Sequence, residues 1–149
     1  MNRSASSSTH DRELKTLNFI EVSAALIFRD GKLLITQRHA NSHLGGLWEF
    51  PGGKREDAET FEQCLVREIR EELGLKISVG ELFAEVAHDY PEKSVHLKFF
   101  TCKILSGEPQ PLGCAAFRWV DKMELPRFDF PAADARLLAK LTSPNIGWP

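Results

Sequence analysis

An α+β fold, with a mixed β-sheet and helices packed on it, is what the order of residues predicts. Three observations carry the prediction. They are β-rich runs at residues 19–28, 82–87, 95–104 and 117–120, a capped helix over residues 61–73, and apolar residues at helical spacing near the end of the chain. With 149 residues the chain has the length of one domain. We expect that domain over residues 16–141, residues 1–15 as a flexible N-terminal tail and residues 142–149 as a C-terminal tail.

The run at residues 19–28 leads to Asp30-Gly31, and Leu33, Leu34 and Ile35 come directly after. An Asp-Gly pair between apolar runs is a strong hairpin signal, because both turn positions need positive φ. Two antiparallel strands therefore open the domain. Residues 39–47 carry Asn, Ser and two glycines, a loop composition that returns Trp48, Glu49 and Phe50 to the sheet. Pro51-Gly52-Gly53 then breaks any regular element. Thr60 with Gln63 three residues on reads as a capping box, and Gly74 as a C-terminal stop. The helix between them runs from about Phe61 to Leu73. The β-rich runs at residues 82–87 and 95–104 pair through a turn at Pro91, and residues 117–120 add a short strand. Pro131 opens a second helix that carries Leu137, Leu138 and Leu141.

Composition narrows the function classes. Nineteen Lys and Arg against 21 Asp and Glu give a net charge of −2, which supplies no whole-chain attraction to a nucleic-acid backbone. A phosphate-bearing small molecule needs only a local basic site. No apolar run approaches the roughly 18 to 20 residues of a membrane span, and the serine-rich start lacks the apolar core of a secretory signal. Three cysteines, Cys64, Cys102 and Cys114, match no zinc spacing, and a reducing cytoplasm is the expected compartment.

The predicted helix at residues 61–73 has one unusual face. At 100° per residue, with Glu68 at zero, Glu71 falls at about 300° and Glu72 at about 40°, so three carboxylates share one arc. Val66, Ile69 and Leu73 fall at roughly 160°, 100° and 140°, an apolar flank for the core. Like charges at these spacings repel, and a hard divalent cation such as Mg²⁺ or Mn²⁺ converts that repulsion into coordination by oxygen. Taken alone, such a run is also what a solvated helix face looks like.

The residues around it decide between the two. Gly53, Glu59, Arg67, Glu68, Ile69, Glu71, Glu72, Gly74 and Leu75 match the pattern G-x5-E-x7-R-E-U-x-E-E-x-G-U, where U is a bulky aliphatic residue, at all nine specified positions over 23 residues. The segment resembles the signature of the Nudix hydrolases, which cleave a nucleoside diphosphate linked to another moiety. The resemblance implies a mixed sheet sandwiched between helices. It also implies divalent metals held by Glu68, Glu71 and Glu72 with the carbonyl of Gly52. Arg67 would pair with Glu59 and tie the loop to the helix within the catalytic motif. Glycine at 52 and 53 would let the backbone approach a metal-phosphate cluster with no Cβ in the way, and Lys54 would reach a phosphate oxygen.

Outside the signature, residues 22–141 resemble the MutT-like branch, which includes 8-oxo-dGTP diphosphatases and CTP pyrophosphohydrolases. The similar stretches are Ile35-Thr36-Gln37-Arg38, Leu47-Trp48-Glu49-Phe50-Pro51-Gly52-Gly53-Lys54, Trp119-Val120 and Phe130-Pro131-Ala132-Ala133-Asp134. Arg38 matches an arginine that contacts the nucleotide. Asp134 matches a base-recognising position that is Asn in the 8-oxo-dGTP enzymes and Asp in the CTP-cleaving ones. An ionised Asp only accepts, which suits an exocyclic amine of cytosine or adenine better than a guanine-type O6. The chain departs from the pattern in one loop. A metal-associated glutamate of the branch aligns with Gly113, or with Leu112 after a small shift, and no carboxylate stands there.

The resemblance therefore implies an Mg²⁺-dependent hydrolase, with Mn²⁺ able to substitute, that converts a nucleoside triphosphate to the monophosphate and pyrophosphate. Its purpose would be to clear oxidised or non-standard nucleotides. The alternatives are another nucleoside diphosphate derivative as substrate, or a nucleotide-binding regulator with weak turnover.

Overall fold

A computed structural model describes residues 19–149. The expected tail at residues 1–15 lies outside the described residues. Seven strands form one sheet: β1 (Phe19–Arg29), β2 (Lys32–Gln37), β3 (Trp48–Glu49), β4 (Gly52–Lys54), β5 (Lys76–Asp89), β6 (Ser94–Ser106) and β7 (Ala116–Val120). The helices are α1 (Phe61–Leu73) and α2 (Ala135–Leu141), with short 3₁₀ turns at Leu125–Arg127 and Ala132–Asp134. The spatial order is β3-β2-β1-β6-β5, with β4 also paired to β1 and β7 to β2. The sheet is mixed. β1 and β6 run parallel from Phe19 opposite Ser94 to Ile27 opposite Cys102, whereas the other pairs are antiparallel.

The hairpin forms where Asp30-Gly31 predicts it, with φ of 54° and 75° at the two turn residues. Helix α1 carries the capping box: Thr60 Oγ accepts from the Gln63 amide at 3.0 Å, and Gln63 Oε1 accepts from the Thr60 amide at 2.9 Å. Gly74 ends the helix at φ 70°, a left-handed cap that glycine adopts without a Cβ clash.

Side-chain alternation on β1 builds a core on each face of the sheet. Ala24, Leu26 and Phe28 join Leu33, Ile35, Phe50, Phe99, Val120, Leu125, Leu137 and Leu141 on the α2 side. Ala25 and Ile27 join Leu34, Leu65, Ile69, Leu73, Leu75, Ile77, Phe100, Cys102 and Cys114 on the α1 side. The sheet is thus sandwiched between the helices, as the family resemblance implies. Ile69 and Leu73 are fully buried, while Val66 is partly buried beside them. All three cysteines are buried and free.

Three expectations need correction. Pro51-Gly52-Gly53 does not end regular structure, because Gly52–Lys54 is a strand in register with Val22–Ala24 of β1. The second helix starts with a 3₁₀ turn at Ala132–Asp134, and α-helical geometry begins only at Ala135. Residues 142–149 are not a loose tail. The Trp148 ring lies edge-on to Phe28 at 5.5 Å and its Nε1 donates to the Leu141 carbonyl at 3.0 Å, while Lys122 Nζ donates to the carbonyls of Ser143 and Ile146. Among the described residues, no helix is long and apolar enough to cross a membrane.

Candidate active site

Strand β4 and helix α1 bring the signature together. Gly52 lies so close to β1 that a Cβ there would sit 2.0 Å from the Ser23 carbonyl oxygen. At Gly53 a Cβ would sit 2.3 Å from the Glu68 carboxylate. The two glycines therefore serve different approaches: Gly52 lets β4 pack on the sheet, and Gly53 lets the strand lie against a helix glutamate.

Arg67 is the hub beneath them. Its Nε and Nη2 each donate to the Glu59 carboxylate at 2.8 Å, a bidentate pair. Nη2 also donates to the Lys54 carbonyl at 3.2 Å, and Nη1 reaches Glu68 at 2.7 Å and Glu71 at 3.4 Å. Hydrogen bonding to Arg67 holds the Glu59 carboxyl down at about 2. Arg67 thus joins the loop, β4 and α1 in one tether, and it does not line the neighbouring cavity.

That cavity measures about 490 Å³ and has a volume suited to a small-molecule ligand. Arg38, Gly52, Gly53, Lys54, Glu72 and Asp134 line it. The structure therefore brings Arg38, Lys54 and Asp134, distant in sequence, to one place with Gly52 and Glu72. Glu68 and Glu71 are not in that lining. Both turn toward Arg67, and the Glu71 side chain is 60% exposed. Among the described residues, no three Asp, Glu, His or Cys side chains converge on one point as they stand.

Glu72 nevertheless has the character of a cation ligand. Its Oε1 is buried and has no hydrogen-bond partner among the described residues. Burial, then the charges of Glu49 and Glu68, push its carboxyl up to about 8. Such an oxygen is costly to leave unpaired, and a cation would supply the missing partner. With Glu68 lying against Gly53 and Glu71 one turn along the helix, the donor set is all oxygen, which fits a hard divalent ion.

The other end of the cavity is aromatic and acidic. Phe50 stacks on Phe130 at 5.0 Å and meets Phe99 edge-on at 6.1 Å. Asp134 ends the 3₁₀ turn, and burial, then the charge of Glu49, raise its carboxyl to about 6. Glu49 was not singled out from the sequence, yet it lines the cavity and pairs with Arg38 at 3.1 Å. Its sequence signal is slight: a charged residue between Trp48 and Phe50 on a strand returning to the sheet. Gly113 packs against the C-terminal end of α1, its amide donating to the Glu72 carbonyl at 3.0 Å. The position that lacks a carboxylate is therefore beside Glu72.

The chain is similar to known proteins in sequence and in fold. The NUDIX domain family matches residues 23–140. The chain is 41% identical over 122 residues to the CTP pyrophosphohydrolase of Escherichia coli, covering 82% of this chain and 90% of that protein. It is 32% identical over 123 residues to the 8-oxo-dGTP diphosphatase of the same organism, covering 82% and 95%. The solution structure of the E. coli ORF135 protein superposes with a TM-score of 0.71 at 38% identity, over 87% of this chain and 96% of that one. Fold, signature and family match agree, and the chain belongs to the Nudix hydrolase family.

Proposed function

We propose that the protein is an Mg²⁺-dependent nucleoside triphosphate pyrophosphohydrolase that adds water across the phosphate chain and releases the nucleoside monophosphate and pyrophosphate. Mn²⁺ substitutes for Mg²⁺. The substrates are oxidised or non-standard nucleotides of the 8-oxo-dGTP or modified CTP and dCTP type; two relatives are named a CTP pyrophosphohydrolase and an 8-oxo-dGTP diphosphatase. The observation that carries the reading is the cavity itself, which has a buried, unpartnered Glu72 oxygen and Lys54 among its lining, together with an aromatic wall and Asp134.

Glu72, Glu68 and Glu71, with the carbonyl of Gly52, would hold the metal. When bound, a divalent cation neutralises charge developing on the phosphate chain and makes the attacking water more acidic. Arg67 pairs with Glu68 and Glu71 and ties β4 to α1. Lys54 and Arg38 offer donors to phosphate oxygens. Phe50 supplies an apolar face to the nucleoside and Asp134 meets the edge of the base. Because Gly113 carries no carboxylate, the proton of the attacking water passes to a helix glutamate.

A nucleotide panel tests the proposal. CTP, dCTP, 8-oxo-dGTP, a nucleotide sugar and a dinucleoside polyphosphate are incubated with Mg²⁺ or Mn²⁺, and pyrophosphate and orthophosphate release are followed separately. Metal-dependent pyrophosphate release from a triphosphate is expected. Turnover of the nucleotide sugar or dinucleoside polyphosphate alone would refute the substrate assignment.

A further inference from the structure

One ion pair in the cavity wall, Arg38 with Glu49, has a member without a part in the chemistry described above, Glu49. Arg38 follows β2, and Glu49 lies on β3 opposite Thr36. Arg38 Nη1 donates to Glu49 Oε1 at 3.1 Å, and Arg38 Nε donates to the His43 carbonyl at 2.6 Å. Two of the three guanidinium nitrogens are thus held, one by the strand and one by the loop at residues 39–47. Because the group is planar, two such anchors fix its orientation. Arg38 Nη2 has no hydrogen-bond partner among the described residues, and Arg38 lines the cavity.

The position of the pair is informative. Glu49 lies near enough for its charge to act both on Glu72, the carboxylate assigned to the metal, and on Asp134, the one assigned to the base. Burial raises the Glu49 carboxyl above the usual carboxylate range, and Arg38 offsets part of that rise. A free arginine on a long flexible stem would lose its rotamer freedom on meeting a ligand, whereas one already held offers its remaining donors at lower entropic cost.

We propose that Glu49 is a positioning residue, which with the His43 carbonyl locks Arg38 so that its free Nη2 end is presented to the bound nucleoside monophosphate moiety. The inference rests on the reading of the cavity as a nucleotide site. It assigns Glu49 neither to the metal nor to proton transfer, because Glu49 Oε1 is engaged by Arg38.

Calorimetric binding of CMP and steady-state hydrolysis of CTP test it on Glu49→Ala, Glu49→Gln, Arg38→Ala and the double variant Arg38→Ala/Glu49→Ala. Glu49→Ala is expected to weaken CMP binding by about tenfold and to raise KM while kcat at saturation changes by less than about threefold. Glu49→Gln, which keeps a neutral acceptor, should fall between it and wild type. The double variant should bind CMP no more weakly than Arg38→Ala alone, since the two residues act as one unit. Arg38→Lys keeps the charge and leaves Glu49 untouched but loses the fork, so it should lose affinity too. It carries the test if the Glu49 variants do not fold. Additive losses in the double variant, a collapse of kcat with unchanged KM in Glu49→Ala, or wild-type affinity in Arg38→Lys would each overturn the proposal. Those outcomes leave the nucleotide reading standing, whereas a wild-type protein that neither binds CMP nor hydrolyses any triphosphate removes both.

Discussion

Replacing Asp134 by Asn exchanges a titrating carboxyl for a fixed amide at nearly constant volume, in a side chain that burial and Glu49 have raised to about 6. The raised value means that the folded protein favours the neutral acid. The associated stability is complete below the ordinary 3.8 and is lost as pH rises through about 6. The slope in that window is at most about 1.4 kcal/mol per pH unit. Asn does not titrate, so its melting profile there should be flatter.

Selectivity should follow the same titration. Below about 6 the neutral acid can donate to a guanine-type O6, and above it the carboxylate only accepts, as a cytosine amine requires. One matched polar contact is worth about 1 to 3 kcal/mol, or roughly tenfold in kcat/KM. The wild-type ratio of kcat/KM for 8-oxo-dGTP over CTP should therefore fall about tenfold between pH 5 and pH 8. Asp134→Asn should hold the ratio level and, at pH 8, about tenfold above wild type. The start of α2 is a safe background for the change, because the Asp134 side chain makes no capping hydrogen bond. Equal ratios in the two proteins at both pH values would place Asp134 outside the base pocket and refute the reasoning.

Three further changes probe other parts of the account. Glu72→Gln should lower turnover by at least ~10²-fold at saturating Mg²⁺ without unfolding the protein, because Oε1 has no hydrogen bond to lose; near-normal kcat would remove Glu72 from the metal site. Arg67→Ala should lower Tm at neutral pH more than it raises KM. Since Arg67 holds Glu59 at about 2, below the ordinary 4.5, the Tm gap from wild type should close as pH falls from 4.5 toward 2; a gap independent of pH in circular dichroism melts would contradict the tether. Trp148→Ala should cost about 2 kcal/mol, roughly half a fully buried aromatic, and lower Tm by several degrees, whereas an unchanged Tm would return residues 142–149 to the status of a tail.

The features legible in the sequence were those written in a few adjacent residues. Asp30-Gly31 specifies its hairpin through φ alone, and Thr60, Gln63 and Gly74 mark both ends of α1 through bonds that span only three or four residues. The signature located Gly53, Arg67 and Glu72 because its spacing encodes one loop and one helix. What escaped depends on partners far along the chain. Strand β4 exists because β1 lies beside it, so a Pro-Gly-Gly sequence that looks like a breaker still forms a ladder. Trp148 is held by Phe28, at the opposite end of the domain's sequence. Glu49 becomes part of the site only when the loop at residues 39–47 folds β3 back on β2 and sets it against Arg38. Helical angles place three carboxylates on one arc, but not the ion pairs of Glu68 and Glu71 with Arg67 or the buried Oε1 of Glu72.

The proposed reaction splits a nucleoside triphosphate in this cavity into monophosphate and pyrophosphate, with a divalent metal on the helix glutamates. Phosphorus NMR of CTP and of 8-oxo-dGTP, each incubated with wild-type protein and with Glu72→Gln in Mg²⁺ and then in EDTA, reads the products directly. Nucleoside monophosphate and pyrophosphate resonances are expected from wild type with Mg²⁺, with their loss in EDTA and little product from Glu72→Gln. Release of orthophosphate in place of pyrophosphate, or equal turnover by Glu72→Gln and wild type, would contradict it.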